Sequence, residues 1–366
     1  MSELEKCPTV AMIGNPVANN GKGSKVYSQV FDLLVEGGKV HGFDVIDLTG
    51  SSFDDSLAKA REAAPSYDYL VVVGGDGMMM LGANAVRSSG KPLGIVAVGS
   101  GNDFARGLKL PVNRVQTAVE GIIGAIVRGS HIDVDMGCVT WPDDGGRDRL
   151  YSGMLSCGLD ASINDRANHS RLPGGSLRYF VAVLIELTHI KRYGYHVALT
   201  RADGTIEERD MMTPLLTVAN SRHIGGGIEV SPYSCLDDGL LDVVWMAHMP
   251  SLREAVRALR HAYDGRLLAA ELFGWERVRD IEITRAQDGD EPPVLMADGE
   301  YVGQLPVKVR ACKQAVRVLV PPAVADWYRS ERSESRLLAT VERDGRDPLT
   351  GGLVATPRRW RSLFGM

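Results

Sequence analysis

Long apolar runs are missing from this chain of 366 residues. Nothing approaches the roughly 18 uninterrupted apolar positions that a membrane span needs. The opening Met1-Ser2-Glu3-Leu4-Glu5-Lys6 lacks the apolar core of a secretory signal. Cysteine is sparse: Cys7, Cys138, Cys157, Cys235 and Cys312 form no CxxC pair, which reads as reduced, mostly structural thiols in a cytoplasmic protein. The 8 histidines form no HxxxH or HxH set, so zinc chemistry is set aside. There is no basic excess either. Lys and Arg number 41 against 46 Asp and Glu, the net charge is −5 and the pI is about 5.9, which argues against a nucleic-acid surface. Two familiar nucleotide fingerprints are absent. Gly21-Lys22 is followed by Gly23 where a P-loop needs Ser or Thr, and Val26 and Phe104 stand where GxGxxG needs its third glycine.

What is present is a set of strands that end in glycine turns. Tyr69-Leu70-Val71-Val72-Val73 fits a strand covered on both faces, as in a parallel α/β sheet. It stops in Gly74-Gly75-Asp76-Gly77, where glycine lets the backbone bend sharply and approach a ligand. Helix-favouring residues follow from Met78, so the turn opens at a helix N-terminus, where free N–H groups attract phosphate. An acid beside a phosphate makes sense if a divalent cation lies between them. Pro92–Val98 is a second apolar strand, ending in Gly99-Ser100-Gly101-Asn102-Asp103. Thr9–Gly14 is a third, followed by Asn15-Pro16-Val17-Ala18-Asn19-Asn20-Gly21. Three such corners match the rule that open α/β sheets bind ligands at their carboxyl ends. They read as a nucleotide site.

Length and patterning predict two domains. Residues 1–130 alternate strand and helix, the βαβα signature of a parallel sheet. Strands are expected at 9–14, 43–48, 69–73 and 93–98, and helices near 23–37, 54–64, 78–89 and 112–128. From 131 to 320 period-two segments predominate: 131–139, 195–201, 213–220, 240–246, 278–284, 307–310 and 316–320. They predict a largely antiparallel, β-rich domain with helices inserted at 175–191 and 251–263. A cleft between the domains would hold the small-molecule site.

In this order and spacing the motifs resemble the diacylglycerol kinase catalytic-domain family of lipid kinases, which includes soluble bacterial diacylglycerol kinases and sphingosine and ceramide kinases. The resemblance rests on Asn15-Pro16, Gly74-Gly75-Asp76-Gly77-Met78, Gly99-Ser100-Gly101-Asn102-Asp103, and the late Asp298-Gly299-Glu300. It extends to Gly225-Gly226-Gly227 with Pro232 and Asp237-Asp238-Gly239-Leu240-Leu241-Asp242, and spans about Pro8 to Pro321. Three spellings depart from the family pattern. Met78 replaces a threonine whose hydroxyl would face phosphate, Asn19 or Asn20 replaces a small residue of the first loop, and Ser100 replaces a threonine while keeping the hydroxyl.

The resemblance implies an ATP-dependent, Mg²⁺-requiring enzyme that phosphorylates a membrane lipid hydroxyl, most simply diacylglycerol to phosphatidate. Phosphoryl transfer to an alcohol needs held phosphates, a metal that neutralises charge and a base for the hydroxyl proton. Glu300 is the expected base and Asp76 the expected holder of the Mg²⁺ of Mg-ATP, directly or through water. Asn15, Pro16, Gly74, Gly75, Gly77, Met78, Ser100, Gly101 and Asn102 are expected at the nucleotide, and by resemblance Thr49 too. The turn at Asp237-Asp238-Gly239 suits a hard cation. Family members bind a structural Mg²⁺ there, matching the Asp238 carboxylate and the Cys235 and Leu240 carbonyls. The resemblance also has the segment 321–366 return to the first domain. Its end, Pro357–Met366, sets Trp360, Leu363 and Phe364 beside three arginines and could rest on an anionic membrane. Peripheral membrane contact is therefore expected of a cytoplasmic protein, and exposed strand edges leave a homodimer open. Two other readings stand beside the lipid kinase: an NAD kinase, which shares the GGDG loop, and a non-catalytic lipid- or nucleotide-binding regulator that lost activity through Met78.

Overall fold

The computed structural model describes residues 7–15, 22–170, 172, 175–331, 334–347 and 351–354. Pro16 and the rest of the first loop through Gly21, like the tail 357–366, lie outside the described residues. The chain begins with β1 (Thr9–Gly14), α1 (Lys22–His41), β2 (Asp44–Asp47), α2 (Phe53–Glu62), β3 (Tyr69–Gly74), α3 (Asp76–Val86), β4 (Leu93–Ala97), α4 (Asp103–Gly107) and α5 (Val115–Arg128). The strands lie parallel in the order β2-β1-β3-β4. Alternation explains the uniformly apolar run of β3. Leu70 and Val72 pack on one face with Ala60 and Met79, while Val71 and Val73 pack on the other with Val30, Leu34 and Ile122. Helix ends are specified locally. The Ser52 hydroxyl accepts from the Asp55 N–H at the start of α2, and Gly129 takes a left-handed φ of 61° to close α5.

The remaining strands are β5 (His131–Trp141), β6 (Arg147–Tyr151), β7 (Met154–Ser156), β8 (Tyr193–Thr200), β9 (Ile206–Thr213), β10 (Leu216–Ala219), β11 (His223–Ile224), β12 (Ile228–Glu229), β13 (Leu241–Met246), β14 (Phe273–Val278), β15 (Asp280–Arg285), β16 (Leu295–Ala297), β17 (Glu300–Gly303) and β18 (Val307–Leu319). Between them run α6 (Leu159–His169), α7 (Gly175–Leu187) and α8 (Leu252–His261), and α9 (Pro322–Glu331) and α10 (Glu334–Arg343) follow β18.

β18 joins the two halves of the molecule. It pairs antiparallel with β15 and β5, and near its end lies parallel to β4 through Val318 and Leu93. The parallel sheet thereby continues without a break into β15, β8 and β9. A second, antiparallel sheet runs β14-β13-β10-β7-β16-β17. The two pack face to face through Tyr195, Val197, Ile281 and Ile283 on one side and Leu155, Leu216, Val218 and Val243 on the other. The class is the expected one: a parallel N-terminal sheet followed by a β-rich, antiparallel second part.

Three local differences have physical causes. The expected strand 278–284 is divided, because the chain leaves β14 of the second sheet at Val278 and enters β15 of the first at Asp280. β9, whose sequence IEERDMMT alternates exposed and partly exposed residues at a sheet edge, carries too much charge to read as a strand. α3 begins at Asp76, two residues earlier than Met78, with Gly75 as its N-cap. After β18 the chain splits its attention: Ala325 and Tyr328 of α9 pack with the first-half core, whereas Leu337 and Val341 of α10 join a cluster of the second half.

Candidate active site

The carboxyl ends of β1, β3 and β4 open onto a cleft of about 750 Å³, whose other wall comes from the second half. Asn15, Gly74, Gly75, Asp76, Gly77, Met78, Ser100 and Gly101 line the first wall, and Glu300 the second. The two glycine corners touch backbone to backbone. A Cβ built on Gly99 would come within 2.3 Å of the Gly75 Cα, so neither corner tolerates a side chain without moving the other. Asn102 fastens its own turn: in the left-handed region at φ 59°, its Oδ1 accepts from the Gly99 N–H at 2.8 Å and its Nδ2 donates to the Gly99 carbonyl at 2.7 Å. Asn102 is buried and does not line the cleft; it shapes the loop. Thr49 is also set back. Its hydroxyl accepts from the Gly14 N–H at 3.1 Å and donates to the Tyr27 hydroxyl, bracing the end of β1 while the adjacent Gly50, Ser51 and Ser52 face the cleft.

Asp76 couples the loops electrostatically. Its Oδ2 accepts from the Asp103 N–H and its Oδ1 from the Phe104 N–H, both at 3.1 Å, so the first residue of α3 holds the N-terminus of α4. Burial raises its pKa against those hydrogen bonds. Asp103 extends the chain of contacts: its Oδ2 accepts from the Gly226 N–H at 2.9 Å, tying the Gly225-Gly226-Gly227 turn to the cleft. Burial, and then the Asp76 charge, push its pKa up to about 6.

Glu300 arrives from the far end of the sequence. β17 and the turn before it bring its carboxylate against the first turn of α3, where a Cβ on Gly77 would lie 2.8 Å from Oε1. The turn is fixed by Asp298, at φ 50°, whose Oδ2 accepts from the Ser152 N–H and hydroxyl and whose Oδ1 accepts from the Gly153 and Met154 N–H groups. Asn168 of α6 adds a hydrogen bond to the Gly299 carbonyl at 2.7 Å. Desolvation by the cleft walls raises the Glu300 pKa, and the Arg149 charge opposes that rise. A carboxylate beside a glycine corner and a helix N-terminus can accept a proton from a hydroxyl held between them.

Comparison with known proteins agrees with this geometry. Residues 9–139 match the model of the diacylglycerol kinase catalytic domain, and residues 153–320 match that of the YegS C-terminal NAD kinase beta sandwich-like domain. Residues 9–139 thus read as a diacylglycerol kinase catalytic domain, and the chain is a kinase. A diacylglycerol kinase of Mycobacterium tuberculosis is 29% identical over 314 residues, which is 85% of this chain and 95% of that protein. One from Bacillus subtilis is 23% identical over 314 residues, 85% and 97% of the two chains. In fold, the chain is similar to a putative diacylglycerol kinase from Bacillus anthracis, with a TM-score of 0.63 at 22% identity over 86% of this chain and 98% of that one.

The turn expected from the sequence to suit a second cation lies outside the cleft lining, before β13. Asp238 Oδ1 accepts from the Leu240 N–H at 2.9 Å, and Oδ2 makes no hydrogen bond among the described residues but lies 3.6 Å from a guanidinium nitrogen of Arg277. Burial pushes the Asp238 pKa up to about 7 even with Arg277 beside it. Among the described residues no three His, Cys, Asp or Glu side chains gather around a metal position, so only carbonyls such as those of Cys235 and Leu240 could complete this site. One under-compensated carboxylate oxygen and two carbonyls form a donor set a hard cation accepts.

Several residues of the cleft carried no sequence signal. Asn168 and Arg178 come from the second half, as does Arg149, whose charge acts on Glu300; Arg178 lines the cleft with a buried Nε that makes no hydrogen bond among the described residues. His223 also lines it, its pKa lowered to about 4 by burial and then by Arg222 and Arg106. Asp103 and Asp298, by contrast, stood inside quoted motifs.

Proposed function

We propose that the chain is an ATP-dependent lipid kinase that phosphorylates the hydroxyl of a membrane lipid, most simply diacylglycerol to phosphatidate. The observation that carries this reading is the placing of Glu300 against Gly77, at the mouth of two interlocked glycine corners. The corners present backbone N–H groups at the start of α3 for phosphate. Asn15, Ser100 and the backbone of Gly74–Met78 would hold the nucleotide from the first half, with Asn102 and Thr49 as bracing residues. Pro16 belongs to the same proposal by resemblance. Mg²⁺, when bound, supplies the positive charge that neutralises the phosphates. Asp76, whose carboxylate lines the cleft beside the N-terminus of α3, is the residue to hold that ion through water. Glu300 accepts the proton of the attacking hydroxyl, and its raised pKa makes it a stronger base than an unperturbed glutamate. Asp238 with the Cys235 and Leu240 carbonyls is the candidate for a separate, structural Mg²⁺.

The test is ATP turnover with and without diacylglycerol vesicles, for wild type and Glu300→Gln. Gln keeps the shape and cannot take the proton, so turnover should fall about 10²–10⁴-fold with ATP affinity nearly unchanged. Activity within a factor of a few of wild type would remove Glu300 from the mechanism. The likeness of residues 153–320 to an NAD kinase sandwich gives the second reading. Phosphorylation of NAD in the absence of any lipid would select it.

A further inference from the structure

α8 is built against the usual rule for a surface helix. Its start is well specified: the Ser251 hydroxyl accepts from the Glu254 N–H while the Glu254 carboxylate accepts from the Ser251 N–H. The face it turns to the protein is made of alanine. Ala262 is buried, and Ala255 and Ala258 are half-buried, with Ala258 packed on the apolar cluster of the second half. The large apolar side chains point away. Leu252 is 81% exposed, Tyr263 68%, Leu259 47% and Val256 43%. Steps of four, three and four residues place these side chains in one stripe along the helix. Arg253, Arg257 and Arg260 are all exposed and, by the same periodicity, form a second stripe alongside. Neither Arg253 nor Arg260 makes an ion pair with a described side chain.

We propose that α8 is an interfacial anchor that lies in the surface of an anionic bilayer, its leucine stripe among the acyl chains and its arginines on the lipid phosphates. Charge decides the occupant. The whole chain carries −5, yet this helix offers three arginines against one glutamate, and that glutamate is committed to the helix cap. A second copy docked through the same stripe would set two rows of arginine near one another. A lipid surface takes both stripes at once. The anchor connects to the cleft through the backbone: the Ala262 carbonyl accepts from the Glu229 N–H of β12 at 2.7 Å, β12 pairs with β11, and His223 and Ile224 of β11 line the cleft. The choice of a bilayer as partner rests on the lipid kinase reading, but binding itself needs no catalysis.

The test is flotation of the full chain with vesicles of equal parts phosphatidylglycerol and phosphatidylcholine, free of diacylglycerol. Wild type should float with these and not with phosphatidylcholine alone. The pairs Leu252→Gln with Leu259→Gln, and Arg253→Gln with Arg260→Gln, should each weaken partitioning about tenfold or more. All four side chains are exposed, so both double variants should keep the wild-type melting temperature and wild-type turnover of a soluble short-chain diacylglycerol. Variants that float as well as wild type, or a wild type that does not float, would overturn the anchor. So would a wild-type dimer dissociated by the leucine substitutions with vesicle binding intact, which would make a second copy the occupant. Vesicle binding that depends on α8 in a protein that phosphorylates no lipid would leave the anchor standing and remove the proposed activity.

Discussion

Asp298 and Asp238 both sit in Asp-Gly turns, and burial pushes both pKa values up to about 7, yet their surroundings differ. Asp298 is held by four donors from the Ser152–Met154 segment, all neutral, and faces the charge of Asp76. Asp238 has one such donor and an arginine at 3.6 Å. Neutral donors fix a carboxylate without cancelling its charge, so the cleft keeps Asp76, Asp103 and Asp298 as an acidic group. That arrangement costs stability. A carboxyl whose folded pKa is about 7 against about 3.9 unfolded stabilises the fold fully only below pH 4 or so, and that contribution is lost as the pH rises through about 7. At the Asp238 turn the protein sets its own guanidinium beside the charge and offsets part of it. The cleft retains a field suited to a cation that arrives with substrate, whereas the turn resembles a structural joint.

Asp298→Asn should break this contrast most visibly. An amide nitrogen would have to face N–H donors now served by a carboxylate, and an unmet buried donor costs about 1–3 kcal/mol. With the turn disturbed, Glu300 loses its aim and kcat should fall roughly tenfold to a hundredfold. Glu300→Gln and the Asp298→Asn, Glu300→Gln double variant, assayed together, should be non-additive; independent losses would separate Asp298 from Glu300.

Gly99→Ala probes the contact between the corners. Its new methyl would meet the Gly75 backbone, which cannot rotate away, so overpacking should cost about 1–3 kcal/mol of stability and raise the KM for ATP more than that for lipid. A melting curve and an ATP titration matching wild type would mean the corners are not rigidly coupled. Met78→Thr restores a hydroxyl and should change kcat/KM for ATP by one neutral hydrogen bond, about 0.5–1.5 kcal/mol or roughly threefold to tenfold. An inactive wild type switched on by this change would select the regulator reading.

Asp238→Asn should have the smallest effect on turnover, because the turn is remote from the cleft. Its consequence should appear in thermal melts instead. Removing the buried charge flattens the loss of stability between about pH 4 and 7. It should also abolish the stabilisation by Mg²⁺, which for a single site is about 2.7 kcal/mol at a hundredfold excess over Kd, and with it the accompanying rise of Tm. Equal Mg²⁺ stabilisation of both proteins would place the structural ion elsewhere.

Much of the cleft was legible in the sequence because each corner is local. A buried β3 followed by Gly74–Gly77 can be read within nine residues, and Glu300 followed from its place in a family pattern. A helix at 251–263 was legible, against the observed Leu252–His261, but its outward apolar stripe was not, since periodicity gives a face without saying which way it points. Long-range pairing was also hidden. Nothing in the spelling of Val307–Leu319 tells that one strand pairs with β4, β5 and β15 and fuses the two halves into a single sheet. The partners of Asp76 and Asp298 lie 27 and 146 positions away, so their holding roles depend on the fold.

The most direct measurement is transfer of labelled γ-phosphate from ATP by the purified wild-type chain to a panel of diacylglycerol, ceramide, sphingosine and NAD, with Glu300→Gln as control. The account predicts a labelled phospholipid, foremost phosphatidate, formed by wild type and nearly lost in the variant. Failure of the wild type to label any member of the panel, or equal labelling by Glu300→Gln, would contradict it.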